Sequence, residues 1–189
     1  MTKYILHGGK PSKISVSNQL FYREMFVSLS GPINLLCVYF ARDKRSYDWF
    51  QMLEDDKSYI SSACHDHQIN FILASDQIET FSNQIRKSDV IFLKGGDTST
   101  LLAFLKRMPN IEMLWKHKII AGTSAGALVL SKHYYDGDLD IYDQGIGVIP
   151  IKLICHWSDA RLNKIEGLKQ IGENLQILAI PEEQYVIYY

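Results

Sequence analysis

The feature that most restricts the fold of this chain is a set of short runs that are apolar from end to end. KYILHGG, INLLCVYFA, INFILA, DVIFLKGG, HKIIAG, IKLICHW and LQILAIPE are each rich in Ile, Val, Leu or aromatic residues, and each is closed by Gly, Pro or a polar residue. A strand with one face in water alternates apolar and polar side chains, whereas one that is apolar throughout needs cover on both faces. Between the runs, Asn18–Leu29, Tyr47–His65, Gln77–Lys87, Thr98–Arg107 and Ala160–Glu173 carry helical periodicity. Asp76 and Asp97 stand where they could cap the third and fourth of these. The alternation predicts an α/β fold of three layers, a doubly wound, mostly parallel sheet with helices on both sides. In 189 residues there is no repeat, no low-complexity tract and no linker, so residues 1–189 are expected to form one domain. The segment YYDGDLDIYDQGIGVIP, Tyr134 to Pro150, follows neither period and reads as an excursion or hairpin. The final VIYY suits either an edge strand that pairs with a second subunit or a strand that closes the sheet.

Composition removes several function classes. A formal net charge of -1 and the lack of a basic block argue against nucleic acid as a partner. Cys37, Cys64 and Cys155 lie far apart without C-x-x-C spacing, which suits a reducing compartment better than a disulfide framework or a zinc site. The N-terminal MTKYILHGGKPSK has only Tyr4 to Leu6 as an apolar centre, and no run approaches the length of a membrane span. The expectation is a cytoplasmic protein that uses neither metal nor cofactor.

In open parallel sheets, ligands bind beyond the carboxyl ends of the strands. Four unusual stretches fall at predicted strand ends: HGG at 7–9, KGGD at 94–97, GTSAG at 122–126 and CHW at 155–157. If the fold is as expected, all four meet along one edge.

GTSAG matches G-x-S-x-G, in which a serine on a tight strand-to-helix turn presents its hydroxyl and the flanking glycines let the chain turn and pack. Ser124 is the candidate nucleophile, and the Ala125 N–H at the following helix start is a candidate oxyanion donor. A bare G-x-S-x-G also occurs as an ordinary glycine-rich turn, so a base is needed to give it meaning. His65 and His67 lie on a charged helix end, His117 in a lysine-rich connection, and His133 two turns along the helix expected after the elbow. His7 ends the first strand, and His156 ends IKLICHW at the ligand edge; His156 is the candidate base. For the carboxylate that orients it, two sets stand open: Asp136, Asp138, Asp140 and Asp143 before the histidine, or Glu182 and Glu183 after LQILAIP. Glu182, directly after a strand-ending proline, is favoured. FLKGGDT could supply a second oxyanion donor from Gly96; it lacks the pattern of a phosphate loop.

Taken in order, KGGDT, GTSAGA, CHW and IPEE resemble the dipeptidase E family of serine peptidases, which share the class I glutamine amidotransferase-like, flavodoxin-like fold. The resemblance covers roughly Asp89 to Glu183. It implies Ser124 as nucleophile, His156 as base, Glu182 as its partner, and Gly96 and Ala125 as the oxyanion hole. The family's aspartate in the excursion after the elbow best matches Asp138. Its arginine for an acidic N-terminal residue matches Arg161 in DARLNKIEGL, a residue type suited to bidentate capture of a carboxylate. Departures are Lys94 in place of a glycine, Asp97 in place of an asparagine, no glycine after the glutamate, and a short segment between His156 and Arg161.

The function expected is hydrolysis of a small peptide or amide, with a preference for an acidic N-terminal residue, by a protein that could form a homodimer. Two alternatives are an esterase of the α/β-hydrolase kind, which would place a loop aspartate on the histidine, and a binding or regulatory protein that kept the scaffold without the activity.

Overall fold

The computed structural model describes residues 1–189. At its centre lie β4 (Val90–Leu93) and β5 (Ile119–Thr123), buried at every position as their uninterrupted apolar sequences require. They belong to a six-stranded sheet that also contains β1 (Lys3–His7), β2 (Ile33–Val38), β3 (Ile69–Leu73) and β10 (Tyr185–Tyr188), in the order β10-β1-β5-β4-β2-β3. Five of these strands run parallel, and β10 lies antiparallel on β1. VIYY therefore closes one side of the sheet within its own chain. INFILA, as β3, takes the other edge and is only partly buried.

The connecting helices are α1 (Val16–Glu24), α2 (Trp49–Ala63), α3 (Ile78–Lys87), α4 (Thr98–Leu105) and α5 (Ile111–Trp115). α1 packs on α2, and α3 on α5. Ser15, Asp48 and Asp97 cap α1, α2 and α4 through their side chains. Asp76 does not cap α3: its carboxylate is 2.8 Å from Lys44, and Gln77 holds the cap position without a side-chain bond. A cation within reach has outcompeted the backbone amides.

Two further expectations are corrected. IKLICHW and LQILAIP do not extend the first sheet. They form β8 (Ile149–Trp157) and β9 (Gln176–Pro181) of a second, four-stranded sheet, with β6 (Ser131–Asp136) and β7 (Ile141–Gln144), in the order β7-β6-β8-β9. The reason is that β10 already occupies the free edge of β1. The helix after the elbow, α6 (Ala125–Leu128), is a single turn. Ser131 ends it, with its hydroxyl 2.8 Å from the Leu128 carbonyl, and the chain then runs out as β6. His133 thus sits on a strand, buried, with Nε2 3.1 Å from Glu173. The segment from Tyr134 onward does contain a hairpin, β6 against β7, but Tyr134, Tyr135 and Asp136 are buried in it.

A short 3-10 turn (Asp159–Arg161) leads into α7 (Leu162–Lys169), which covers the second sheet by packing Leu168 against Tyr135 and Ile154. One continuous apolar core runs through both sheets, from Phe21, Phe92 and Trp115 to Leu153 and Ile180. No helix is long and apolar enough to cross a membrane.

Candidate active site

The strand register brings the punctuated strand ends together. His7 lies opposite Thr123, and Leu6 and Leu93 lie on either side of Gly122, so HGG, GTSAG and KGGD leave adjacent strands at one level. The second sheet delivers CHW to the same place: the His156 N–H donates to the Gly8 carbonyl at 2.8 Å.

Ser124 has φ 50° and ψ -116°, a conformation L residues rarely adopt, at the turn between β5 and α6. Its N–H donates to the His7 carbonyl at 2.9 Å, and its own carbonyl accepts from Ala127 and Leu128. The turn is this tight because both flanking residues lack a Cβ. A methyl on Gly122 would lie 2.3 Å from the Gly126 carbonyl oxygen, and one on Gly126 2.0 Å from that of Leu93.

Ser124 Oγ is 2.8 Å from His156 Nε2, and His156 Nδ1 is 3.0 Å from Glu182 Oε1. A carboxylate only accepts, so Nδ1 carries the proton and Nε2 is free to take one from the serine. Both side chains stay about one-third exposed, 33% and 35%, which leaves the line open to a ligand. His156 itself has φ 51° and lies where the β8–β9 register shifts, between Ile154 and Trp157. A bulge there turns the ring out of the strand's alternation and toward the serine.

Of the carboxylates left open by the sequence, Glu182 is on the histidine. Glu183 pairs with Lys13, Asp140 with Lys164, and Asp138 lies exposed on the cavity wall. The loop-aspartate arrangement expected of an α/β-hydrolase esterase is absent. Glu182 is shared: Lys10 Nζ sits 2.7 Å from its second oxygen. Lys10 first, and His156 second, hold its carboxyl below the usual range.

His7 is not placed as a base. It is fully buried, its Nδ1 accepts from the Gly9 N–H at 3.0 Å, and Nε2–H donates to Asn18 Oδ1 at 2.9 Å. Burial pushes it down to about 4, so it stays neutral. Asn18 in turn donates to the Lys10 and Lys13 carbonyls, fixing the loop that carries Lys10. That loop wraps the base closely: a methyl on Gly9 would meet the His156 ring at 2.1 Å.

On the other side, the Gly95 N–H donates to Thr123 Oγ1 at 3.0 Å and its carbonyl accepts from Arg42 Nε at 2.9 Å. The Gly96 N–H has no protein acceptor, and Ala125, as the first residue of α6, has none within its helix. Lys94 pairs with Asp56 of α2, which is fully buried and also takes the Tyr39 hydroxyl. Asp97 Oδ1 accepts from Thr100 N–H.

These groups line a polar cavity of about 540 Å³, with Lys10, Arg42, Asp97, Ser124, Asp138 and His156 on its walls. A small cleft of about 10 Å³ adjoins it, where Ser124 and His156 meet Asp136 and Arg161. Arg161 Nη1 donates to the Cys155 carbonyl at 2.9 Å, and no carboxylate lies within 4.0 Å of the guanidinium. Asp136, buried at the end of β6, accepts from the Asp138 and Leu139 N–H groups. The three cysteines are buried and unpaired, and burial pushes the Cys155 thiol up, so it is no competing nucleophile. No three His, Cys, Asp or Glu side chains are grouped to hold a metal ion.

Sequence reasoning missed Lys10 and Arg42, neither of which carries a motif of its own. Asp136 was among the candidate carboxylates, but it caps the turn after β6 and is not on His156.

The model of peptidase family S51 matches residues 52–188. A peptidase from an acI-B1 actinobacterium has a similar structure, with a TM-score of 0.67 and 17% identity over 100% of this chain and 83% of that one. A candidate peptidase E protein from Listeria monocytogenes EGD-e superposes with a TM-score of 0.68 and 18% identity, over 100% and 94% of the two chains. At such identities the likeness is one of fold. No curated protein sequence matches the chain.

Proposed function

The chain belongs to peptidase family S51, the dipeptidase E family of serine peptidases, and we propose that it hydrolyses small peptides with an acidic N-terminal residue through Ser124, His156 and Glu182. The observation that carries this reading is the hydrogen-bonded line from Ser124 Oγ through His156 to Glu182, starting from a strained serine.

Ser124 Oγ attacks the scissile carbonyl carbon while its proton passes to His156 Nε2. Glu182 holds the Nδ1 proton and stabilises the imidazolium that forms. The carbonyl oxygen becomes an oxyanion that the Gly96 and Ala125 N–H groups receive. Collapse of this intermediate breaks the C–N bond, and the leaving amine takes the proton from Nε2, leaving an acyl-serine. Water then attacks the ester, giving its proton to His156, and the second collapse returns the proton to Ser124 as the acid departs. Arg161, unpaired beside the serine, receives the side-chain carboxylate of the N-terminal residue. Asp138, with Asp136 beneath it, faces that residue's ammonium group.

The test is a fluorophosphonate probe with intact-mass detection, followed by turnover of Asp-Leu and Leu-Leu. The parent should be labelled once and Ser124→Ala not at all, with kcat reduced on the order of 10⁴–10⁶ in the latter. Arg161→Gln should erase the preference for Asp-Leu. Folded parent protein that resists the probe and cleaves neither dipeptide would sink the reading.

A further inference from the structure

Arg42 lines the cavity beside Gly96, where a methyl would lie 2.9 Å from its Nε, and the reaction above gives it no role. It follows the buried end of β2, with its N–H bonded to the Tyr39 carbonyl at 2.8 Å and its carbonyl held by Trp49 Nε1 at 3.0 Å. The guanidinium is gripped along one edge. Nε donates to the Gly95 carbonyl at 2.9 Å, Nη1 to the Tyr47 hydroxyl at 3.2 Å, and the group lies 5.0 Å from the centre of the Tyr47 ring. Nη2 has no partner, and no carboxylate comes within 4.0 Å of the group.

The other cations of the cavity are neutralised, Lys10 by Glu182 and Lys94 by Asp56. The cavity therefore holds a single unpaired guanidinium, Arg42, and the adjoining cleft holds another, Arg161. Ser124, Gly96 and His156 border both compartments. Arg42 is also close to the serine, because the residue it grips, Gly95, approaches it: a methyl on Gly95 would lie 3.0 Å from Ser124 Cβ.

The cleft, at about 10 Å³, takes no more than a water-sized group, so a peptide bond placed at Ser124 with its acyl side chain turned toward Arg161 has to put its main chain and leaving residue in the larger cavity. In a dipeptide that residue ends in an α-carboxylate two bonds from the scissile nitrogen. We propose that Arg42, positioned by Gly95 and Tyr47, is the receptor for this carboxylate. This rests on the peptidase reading for its orientation, though the carboxylate subsite itself can be tested without turnover. An ionised pair held by a planar, pre-oriented guanidinium supplies both affinity and orientation.

The experiment measures binding of Asp-Leu and of Asp-Leu amide to the Ser124→Ala protein by calorimetry. The free acid should bind about 10–100-fold more tightly, as a hydrogen-bonded charge pair would give. Adding Arg42→Gln should bring the acid to within about twofold of the amide, and Arg42→Lys should retain part of the preference. Melting temperature monitors the fold of each variant. Equal affinities in Ser124→Ala, a preference that survives Arg42→Gln, or binding of neither ligand would each overturn the proposal. Turnover of Asp-Leu by the parent separates the two readings. Selective binding without turnover leaves the carboxylate subsite standing and removes the peptidase mechanism; turnover with no distinction between acid and amide does the reverse.

Discussion

His7 shows how much a single residue of the site can do without touching substrate. It holds the Gly9 amide on one nitrogen and Asn18 on the other, and through Asn18 it fixes the loop that brings Lys10 to Glu182. Burial lowers its pKa from 6.5 to about 4. The unfolded chain therefore takes up this proton before the folded one does. Stability is full above about pH 6.5 and declines as the pH falls toward about 4, by roughly 3 kcal/mol from this group. Urea unfolding at pH 7.5 and pH 4.5 should show that loss in the parent and a clearly smaller one in His7→Gln. Equal losses in the two would remove His7 as the cause. At this scale the sequence was informative where a residue stands beside its own punctuation. Ser124 lies between glycines, His156 at a strand end and Glu182 behind a proline, and these three are joined. Lys10 and Arg42 were not legible, because what gives each its role comes from far along the chain: Glu182 for one, Gly95 for the other.

At the scale of elements, the elbow depends on how closely β4, β5 and α6 approach. Gly126 has the Leu93 carbonyl oxygen where a Cβ would go, at 2.0 Å, and backbone cannot yield as a side-chain tip can. Gly126→Ala should push α6 off β4, cost about 1–3 kcal/mol in urea unfolding, and slow fluorophosphonate labelling of Ser124 on the order of 10²-fold. Labelling at the parental rate would show that the elbow tolerates the shift. Apolar runs and helical periods predicted most of the elements, since both report burial directly. The assignment of SAGALVLS to a long helix failed because its composition suits a helix, whereas the Ser131 hydroxyl and the pairing of β6 with β8 end it after one turn. Which sheet a buried strand joins was equally hidden, because β8 and β9 read the same whether they extend the first sheet or build a second.

For the whole molecule, the question is whether two sheets make one unit. The apolar core passes between them without interruption, and the Gly8 and Gly9 carbonyls are bonded to His156 and Glu183 N–H groups across the junction. We propose a single cooperative domain. Hydrogen exchange under native conditions should give the slowest amides of β5 and of β8 the same opening free energy. A separate, lower value for β8 and β9 would mark the second sheet as an independent unit.

The order in which the chain is made adds a consequence in time. Ser124 and the glycine turns that strain it precede β9 and β10 in the chain, yet Glu182 sits between those two strands, and β10 must find β1. A growing chain on the ribosome can therefore hold a formed elbow but not the proposed relay. The proposed relay depends on a partner of Ser124 that is added to the chain 58 residues later and is positioned by the pairing of β10 with β1.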